Sequence, residues 1–437
     1  MTGCHISKTP GELKAGAEAG NAQDQLELGL LYLGGEGALP KDPELAAKWI
    51  RKASLSGNAQ ATYNLSYLHS AGLGVARDQD KSLALLREAA EAGYPPAEQN
   101  MGTLYILGEL VPQDAGLALS WYEKAADHGD LLALYQLGVL YLEGRNGVPQ
   151  DAKRAFECFR KASFGRLADA QYNLALMLYQ GHGILEDKQE AFRIFGELSE
   201  RGDPRAQFNL ASMYDNGEGA PEDPSMAFKW YKASAEAGIP LAQRRLALAY
   251  LSGRGTDRDD AFGAGWMEKA ARQGDVRAQS AMGAMYELGD GVGADPSKAL
   301  SWYDMAAMGG DVESLFRASV MGLESEGAKG AARRLSGLSK AADAGHVPAK
   351  TALADILWQG REGIPRDPDM AAGLYEESAR LGDARAMLAL ADIRLGDPSD
   401  TDAWEDGIAL LRALAQAGHE AAAERLRGLG LAGHDGS

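Results

Sequence analysis

Residues 203–238 read DPRAQFNLASMYDNGEGAPEDPSMAFKWYKASAEAG. Within this stretch Ala206, Leu210 and Tyr214 recur every four residues, which places them on one face of a helix. A glycine loop follows from Gly217 to Pro221, and glycine takes the left-handed conformation that stops a helix. Asp223-Pro224 then reads as the start of a second helix. Aspartate accepts orphan backbone N–H bonds and suits the positive end of the helix dipole, and proline fits the first turn. Ala227, Trp230 and Ser234 mark the packed face of that second helix, with small residues that let neighbouring helices come close. The stretch is a helical hairpin, here called helix A, loop and helix B.

The hairpin recurs along the chain. Glycines stand at 20, 57, 93, 129, 165, 202, 238, 274, 310, 345, 382 and 418, spaced by 35 to 37 residues. Ala-Gln pairs follow at 22–23, 59–60, 170–171, 206–207, 242–243 and 278–279. Next comes a Leu or Met with a small neighbour, as in Leu28-Gly29, Met101-Gly102, Leu137-Gly138 and Met282-Gly283. A tyrosine sits four residues further on, at 32, 105, 141, 214, 250 and 286. The aspartate opening helix B recurs at 42, 78, 114, 151, 187, 223, 295 and 367, and the tryptophan at 49, 121, 230, 266 and 302. A period near 36 residues is the mark of stacked supersecondary units, each burying its apolar face on the next. The expected fold is all-α, a solenoid of about eleven helix-turn-helix repeats. The tryptophans are expected to fill the space between helix pairs. Cys158 stands at the same offset in repeat 4 and is expected to be a small buried hydrophobe, not a nucleophile.

Composition narrows the function. The 437 residues carry a formal charge of −18, which argues against a nucleic-acid partner and against anionic membrane surfaces. No run approaches 18 apolar residues, so no helix is expected to insert in a bilayer. Cys4 and Cys158 are the two cysteines, and residues 1–8 show no apolar leader, so the cytoplasm is the expected compartment. The seven histidines show no metal-ligand spacing. Gly-x-Gly strings such as Gly253-Arg254-Gly255 lie between helices, where a dinucleotide fingerprint would need a strand before it. No phosphate-binding Gly-x-x-x-x-Gly-Lys loop and no Ser-x-x-Lys occurs. The chain is therefore expected to have no cofactor and no catalytic activity.

The motif Ala-Gln-x-x-Leu-Gly-x-x-x-Tyr, Gly-x-Gly-Val-x-x-Asp, Ala-x-x-Trp-Tyr-x-Lys-Ala-Ala resembles the SEL-one-like repeat (SLR) family, relatives of tetratricopeptide repeats. The resemblance covers roughly residues 11–428. It implies a right-handed superhelix with helix A on the concave side and a non-catalytic adaptor that binds a protein or peptide. It also allows an exported effector acting on envelope or host proteins and, more remotely, a lactamase-like hydrolase. Nothing in it indicates the oligomeric state.

The expected layout is a flexible N-terminus over 1–10, a capping helix over 11–19 and repeats 1–8 over 20–309. A degenerate repeat 9 covers 310–344, repeats 10–11 cover 345–417, and a capping helix and tail cover 418–437. Repeat 9 lacks the loop motif and the Trp-Tyr pair, so it is either a decayed repeat that still packs or a hinge.

The expected binding groove follows from helix A. The residue two before the Leu points nearly opposite to it at 100° per residue. That position is Tyr63, Gln99, Tyr135, Tyr172, Phe208 and Arg244 in repeats 2 to 7. The next residue gives a polar ladder: Asn64, Asn100, Gln136, Asn173, Asn209 and Arg245. The amides either hydrogen-bond the backbone of an extended peptide or tie neighbouring helices together. The aromatics either face the groove or pack on helix B.

Overall fold

The computed structural model describes residues 8–35, 39–326, 328–361, 363–397 and 399–431. Most of the expected flexible ends, with Cys4, and Gly327 of repeat 9 lie outside the described residues. The chain divides into two units, residues 1–222 and 223–437. In the first, the helices are α1 (Pro10–Glu18), α2 (Ala22–Gly34), α3 (Pro43–Leu55), α4 (Ala59–Ala71), α5 (Gln79–Glu91), α6 (Pro95–Leu107), α7 (Ala115–Asp127), α8 (Leu131–Glu143), α9 (Ala152–Ser163), α10 (Ala168–Gln180), α11 (Lys188–Glu200) and α12 (Pro204–Asn216). The second holds α13 (Pro224–Glu236), α14 (Pro240–Ser252), α15 (Asp260–Arg272), α16 (Val276–Leu288), α17 (Pro296–Met308), α18 (Val312–Ser325), α19 (Ala328–Asp343), α20 (Val347–Gln359), α21 (Pro368–Arg380), α22 (Ala384–Arg394), α23 (Thr401–Gln416) and α24 (Glu420–Gly428). Even numbers are A helices and odd numbers are B helices. Within each unit every helix packs on its chain neighbours, giving an α-solenoid of hairpins. Among the described residues the one β feature is an isolated bridge between Arg361 and Ile364.

The local chemistry repeats with the fold. Each aspartate that opens a B helix accepts a first-turn N–H through its side chain, as Asp42, Asp114 and Asp295 do. In most of them the aspartate's own N–H also donates to the carbonyl near the end of the preceding A helix: Asp114 to Tyr105 at 3.0 Å, Asp151 to Tyr141 at 2.8 Å and Asp295 to Tyr286 at 2.8 Å. One residue thus clips the loop at both ends, and such a cap contributes about 1 kcal/mol. Asp259 does the same work, whereas Asp400 caps α23 through its side chain and gives its N–H to Asp397 within the loop; neither was among the expected caps. The loop glycines meet two demands. Gly72 ends α4 in the left-handed conformation at φ 70°. Gly74 also has positive φ, and a Cβ there would strike the backbone of Pro43 in the preceding B helix.

The tryptophans pack between helix pairs as expected, but they are not the deepest side chains there. Trp49 is buried, but Trp121, Trp230, Trp266 and Trp302 are half-buried. The deeper side chain is the next residue: Ile50, Tyr122, Phe159, Met267 and Tyr303 are each 2 % exposed or less. It reaches across to the small residue after the helix-A Leu. A Cβ on Gly138 would lie 2.6 Å from Phe159, and one on Gly283 would lie 2.6 Å from Tyr303. The Gly beside the Leu is therefore half of a ring-on-backbone lock, which an added methyl would overpack. Cys158 is likewise half-buried rather than enclosed.

Two register details also differ from expectation. In α12, α14 and α16 the Gln of the Ala-Gln pair is buried and donates to a carbonyl at the end of the preceding B helix. The bonds are Gln207 to Ser199, Gln243 to Ala235 and Gln279 to Ala271, at 3.0–3.2 Å. In α2 that work falls to Gln25, which donates to Ala17 at 3.0 Å, so the pair at 22–23 is out of register. In α4 the equivalent residue is Thr62, not Gln60. The other anchor glycines have positive φ, but Gly165 does not: Arg166 takes the left-handed conformation there, at φ 58°.

Residues 310–344 hold α18 and α19, and their packing exchanges size between helices. Gly322 stands where other A helices carry Tyr, and Arg334 stands where B helices carry Ala. The Arg334 side chain is 5 % exposed, lies against Gly322, and pairs with Asp304 and Glu326. Leu338, at 0 % exposed, takes the place of the buried ring.

Candidate functional site

Within each unit an A helix packs against its neighbouring B helices, which leaves a strip of its surface open. Every exposed large hydrophobic residue within an A helix falls at its second, ninth or thirteenth position: Tyr67, Leu107 and Leu132 in the first unit, Leu241, Leu248 and Leu288 in the second. The sixth position lies on the same strip by helical periodicity. It carries the polar ladder.

In the first unit this strip is nearly free of charge. Its charged residues are Glu27, Glu143, Asp169 and Arg205, and Arg205 is tied to Asp169 at 2.9 Å and Asp203 at 2.7 Å. Burial opposes ionisation of Asp203, but hydrogen bonds from Arg205 and two backbone N–H groups hold its carboxyl below the ordinary value.

The ladder amides are half-buried, and most donate within the fold. Asn64, Asn173 and Asn209 each donate to the carbonyl four residues back, at 2.9, 3.1 and 3.0 Å. Asn100 donates to the Tyr63 hydroxyl and Asn209 to the Tyr172 hydroxyl, both at 3.1 Å and both from the next repeat. Their side-chain carbonyl oxygens accept no hydrogen bond among the described residues, and the Gln136 side chain makes none. The repeats of α4, α6, α10 and α12 thus offer an amide acceptor held by the fold, and that of α8 offers Gln136, which no hydrogen bond holds.

The aromatics flank the strip and are half-buried. Tyr135 packs on Phe159 and Tyr172 on Phe195 of their own B helices, with centroids 5.9 and 5.8 Å apart. Tyr63 packs on Tyr94 at the start of the next A helix, and Arg205 lies over Tyr172 at 4.5 Å. Phe208 and Gln99 are half-buried at the same position. Arg244 and Arg245 belong to the second unit, where Arg244 pairs with Asp275 at 3.0 Å and Arg245 is exposed. Tyr67, Leu107 and Leu132 were not among the expected groove residues. Their signal was positional: each lies three, seven or four residues from a ladder amide on its own helix.

Among the described residues no group of three His, Cys, Asp or Glu side chains is placed to hold a metal ion. Among them, no helix is long and apolar enough to cross a membrane. His69, at a helix-A tyrosine position, is buried with Nδ1 3.3 Å from the Ala76 carbonyl oxygen.

The family model for the Sel1 repeat matches residues 22–58, 59–94, 95–130, 131–163, 168–203, 204–239, 240–275, 276–311 and 347–383. The chain belongs to the Sel1 repeat family. Sel1 repeat proteins generally mediate protein–protein interaction, and their solenoid is typically non-catalytic. Among solved structures, this Sel1 repeat chain is similar to a protective antigen of uropathogenic Escherichia coli strains with an SLR fold. That match has 27% identity over 97% of this chain and 90% of the antigen, with a TM-score of 0.78. It is also similar to a Sel1 repeat protein from Oxalobacter formigenes, at 31% identity over 70% of this chain and 87% of that one, with a TM-score of 0.56. Comparison with curated proteins gave no match.

Proposed function

We propose that the first unit binds an extended segment of a partner protein along the open strip of α4 to α12, without catalysis. The amide acceptor ladder carries this reading. Helices packed through side chains of this size lie about 10 Å apart. That is about three residues of extended chain at about 3.1–3.4 Å each. A peptide laid across the A helices would meet one amide acceptor every three residues, and its backbone N–H groups would be the donors. Tyr67, Leu107 and Leu132 supply apolar contacts between those points. Tyr63, Tyr135, Tyr172 and Phe208 hold the strip in shape from beside it and add ring edges to its wall.

The test is capture of partners from native cells by crosslinking, comparing the unaltered chain with a Tyr67→Lys plus Leu132→Lys variant. Both side chains are exposed, so the fold and melting temperature should be unchanged while strip-bound partners are lost. Retention of every partner would overturn the proposal.

The cytoplasm is the proposed compartment. The similar E. coli protein is a protective antigen, which favours export as a second reading. Fractionation of the native cell separates the two.

A further inference from the structure

We propose that repeat 4 carries a socket for a planar aromatic ring, and that its occupant is a tryptophan side chain of a partner protein. The site lies among B helices α7 and α9 and the Leu134, Leu137 and Tyr141 face of α8. It is separate from the open strip, and the inference does not rest on the function proposed above.

The molecule supplies its own template. Trp49 packs on the cluster containing Ala17 and Leu28, Trp121 on that containing Ala90 and Met101, and Trp302 on that containing Ala271 and Met282. In each case the first residue lies three before the anchor glycine, on the preceding B helix, and the second is the helix-A Leu or Met. In repeat 4 the same two positions are Ala126, which is half-buried where Ala17, Ala90 and Ala271 are buried, and Leu137, which is buried at the foot of the site, and Cys158 stands where the ring would be. An open cleft of about 550 Å³ remains, lined by Ala126, Leu137, Tyr141, Cys158 and Lys161 among others.

The cation that accompanies the ring is also present. Three residues after the tryptophan, Lys52, Lys124 and Lys269 lie 4.2, 4.1 and 3.6 Å from the centroids of Trp49, Trp121 and Trp266. Lys161 holds that offset after Cys158 and lines the cleft. A cation over an aromatic face is attracted by the ring quadrupole, most strongly for indole. Glu123 and Glu157 at the rim can accept the indole N–H. Repeats 2 and 5 also lack tryptophan at this offset but carry Leu85 and Ile194, larger apolar side chains than Cys158. Burial pushes the Cys158 thiol up to about 11, so it stays neutral and presents sulfur as an apolar contact.

The test uses N-acetyl-5-fluorotryptophanamide as probe and ligand-observed fluorine NMR as readout. Saturable binding is expected with a dissociation constant on the order of 1 mM, as befits a fragment. N-acetyl-leucinamide should compete at least about tenfold less well, and Lys161→Ala should weaken binding about threefold. Cys158→Trp fills the socket from within and should abolish binding while the melting temperature holds or rises. Should that variant misfold, Cys158→Leu, which mimics Leu85 in repeat 2, gives the same reading. Absence of saturable binding to the unaltered chain, or equal binding to a folded Cys158→Trp or Cys158→Leu variant, would overturn the proposal.

Discussion

The open strips of the two units are built from the same helix positions and differ in chemistry. In the first unit the strip is amide and apolar, with unoccupied carbonyl acceptors. In the second, Leu241, Leu248 and Leu288 are exposed on α14 and α16, and from α18 onward the strip is braced by ion pairs. Arg385 pairs with Asp355 at 2.6 Å, Arg425 with Asp392 at 2.6 Å, and Arg317 with Glu313 at 2.6 Å and Glu287 at 3.2 Å. Each pair except Arg317–Glu313 joins one repeat to the one before it, so the charges serve as struts between hairpins. Exposed pairs of this kind contribute about 0–1 kcal/mol each. The lesson is that one scaffold position can either brace the solenoid or be left free for a ligand. In this chain the amide ladder belongs to the first unit and the bracing pairs to α18 and beyond in the second.

The largest expected effect tests the bracing of the second unit. Arg334→Ala removes the side chain that fills the space beside Gly322 and leaves Asp304 and Glu326 without their shared cation. Loss of a buried partner and of packing should cost about 3 kcal/mol. Because hairpins in a solenoid stabilise their neighbours most, hydrogen exchange should rise in α17 to α20 and stay constant in α2 to α8. Adding Gly322→Tyr restores the size pattern of the other repeats and should recover more than half of the loss. A uniform rise in exchange across both units would break the comparison.

Binding gives the next effect. Asn100→Leu with Asn173→Leu removes two acceptors from the first unit and should weaken a strip-bound partner about thirtyfold, since each lost hydrogen bond costs about 1 kcal/mol. Arg385→Leu with Arg425→Leu in the second unit should leave that affinity unchanged. The opposite ranking, measured by calorimetry, would move the binding surface to the charged strip.

The hairpin period was legible because glycine, aspartate and the helix-A Leu answer backbone demands that every repeat shares. The strip was half legible. The amide ladder lies on it, but Tyr135 and Tyr172 do not point freely into a groove. Helical periodicity gives the direction opposite the Leu, whereas a solenoid helix also has neighbours at its flanks, and these capture the fifth position. Trp121 and Tyr122 illustrate the same limit. Both are large and apolar, and the sequence order alone does not rank their depth. The ranking comes from Gly102 across the gap, where a Cβ would lie 3.0 Å from the Tyr122 ring.

A smaller effect separates a typical hairpin of the first unit from an irregular one. Glu98 is 1 % exposed at the position where Gln207, Gln243 and Gln279 donate to a helix end. A carboxylate has no proton to give, and Glu98 is held instead by His128 Nδ1 at 2.8 Å. Glu98→Gln restores the donor and removes a buried charge at the expense of a half-exposed partner. It should stabilise the chain by about 1 kcal/mol. Thermal unfolding checks it, and a drop in midpoint would show that the His128 pair outweighs the missing donor.

The smallest effect concerns the one anchor that sets the units apart in backbone. In the second unit all anchors, from Gly238 to Gly418, are glycines with positive φ. In the first, Arg166 holds that conformation at φ 58°. A side chain in the left-handed region costs about 1–2 kcal/mol, offset in part by the roughly 0.5–1 kcal/mol that a glycine loses in chain entropy. Arg166→Gly should therefore stabilise the first unit by about 0.5–1 kcal/mol. The reverse change, Gly129→Arg, should lose a similar amount, because a Cβ on Gly129 meets nothing within 4 Å and the backbone alone is tested. Equal and opposite shifts in denaturant midpoint at constant slope would assign the difference to backbone conformation. A null result at Arg166 with a loss at Gly129 would mean that the one-residue offset between repeats 4 and 5 has already relaxed around the arginine.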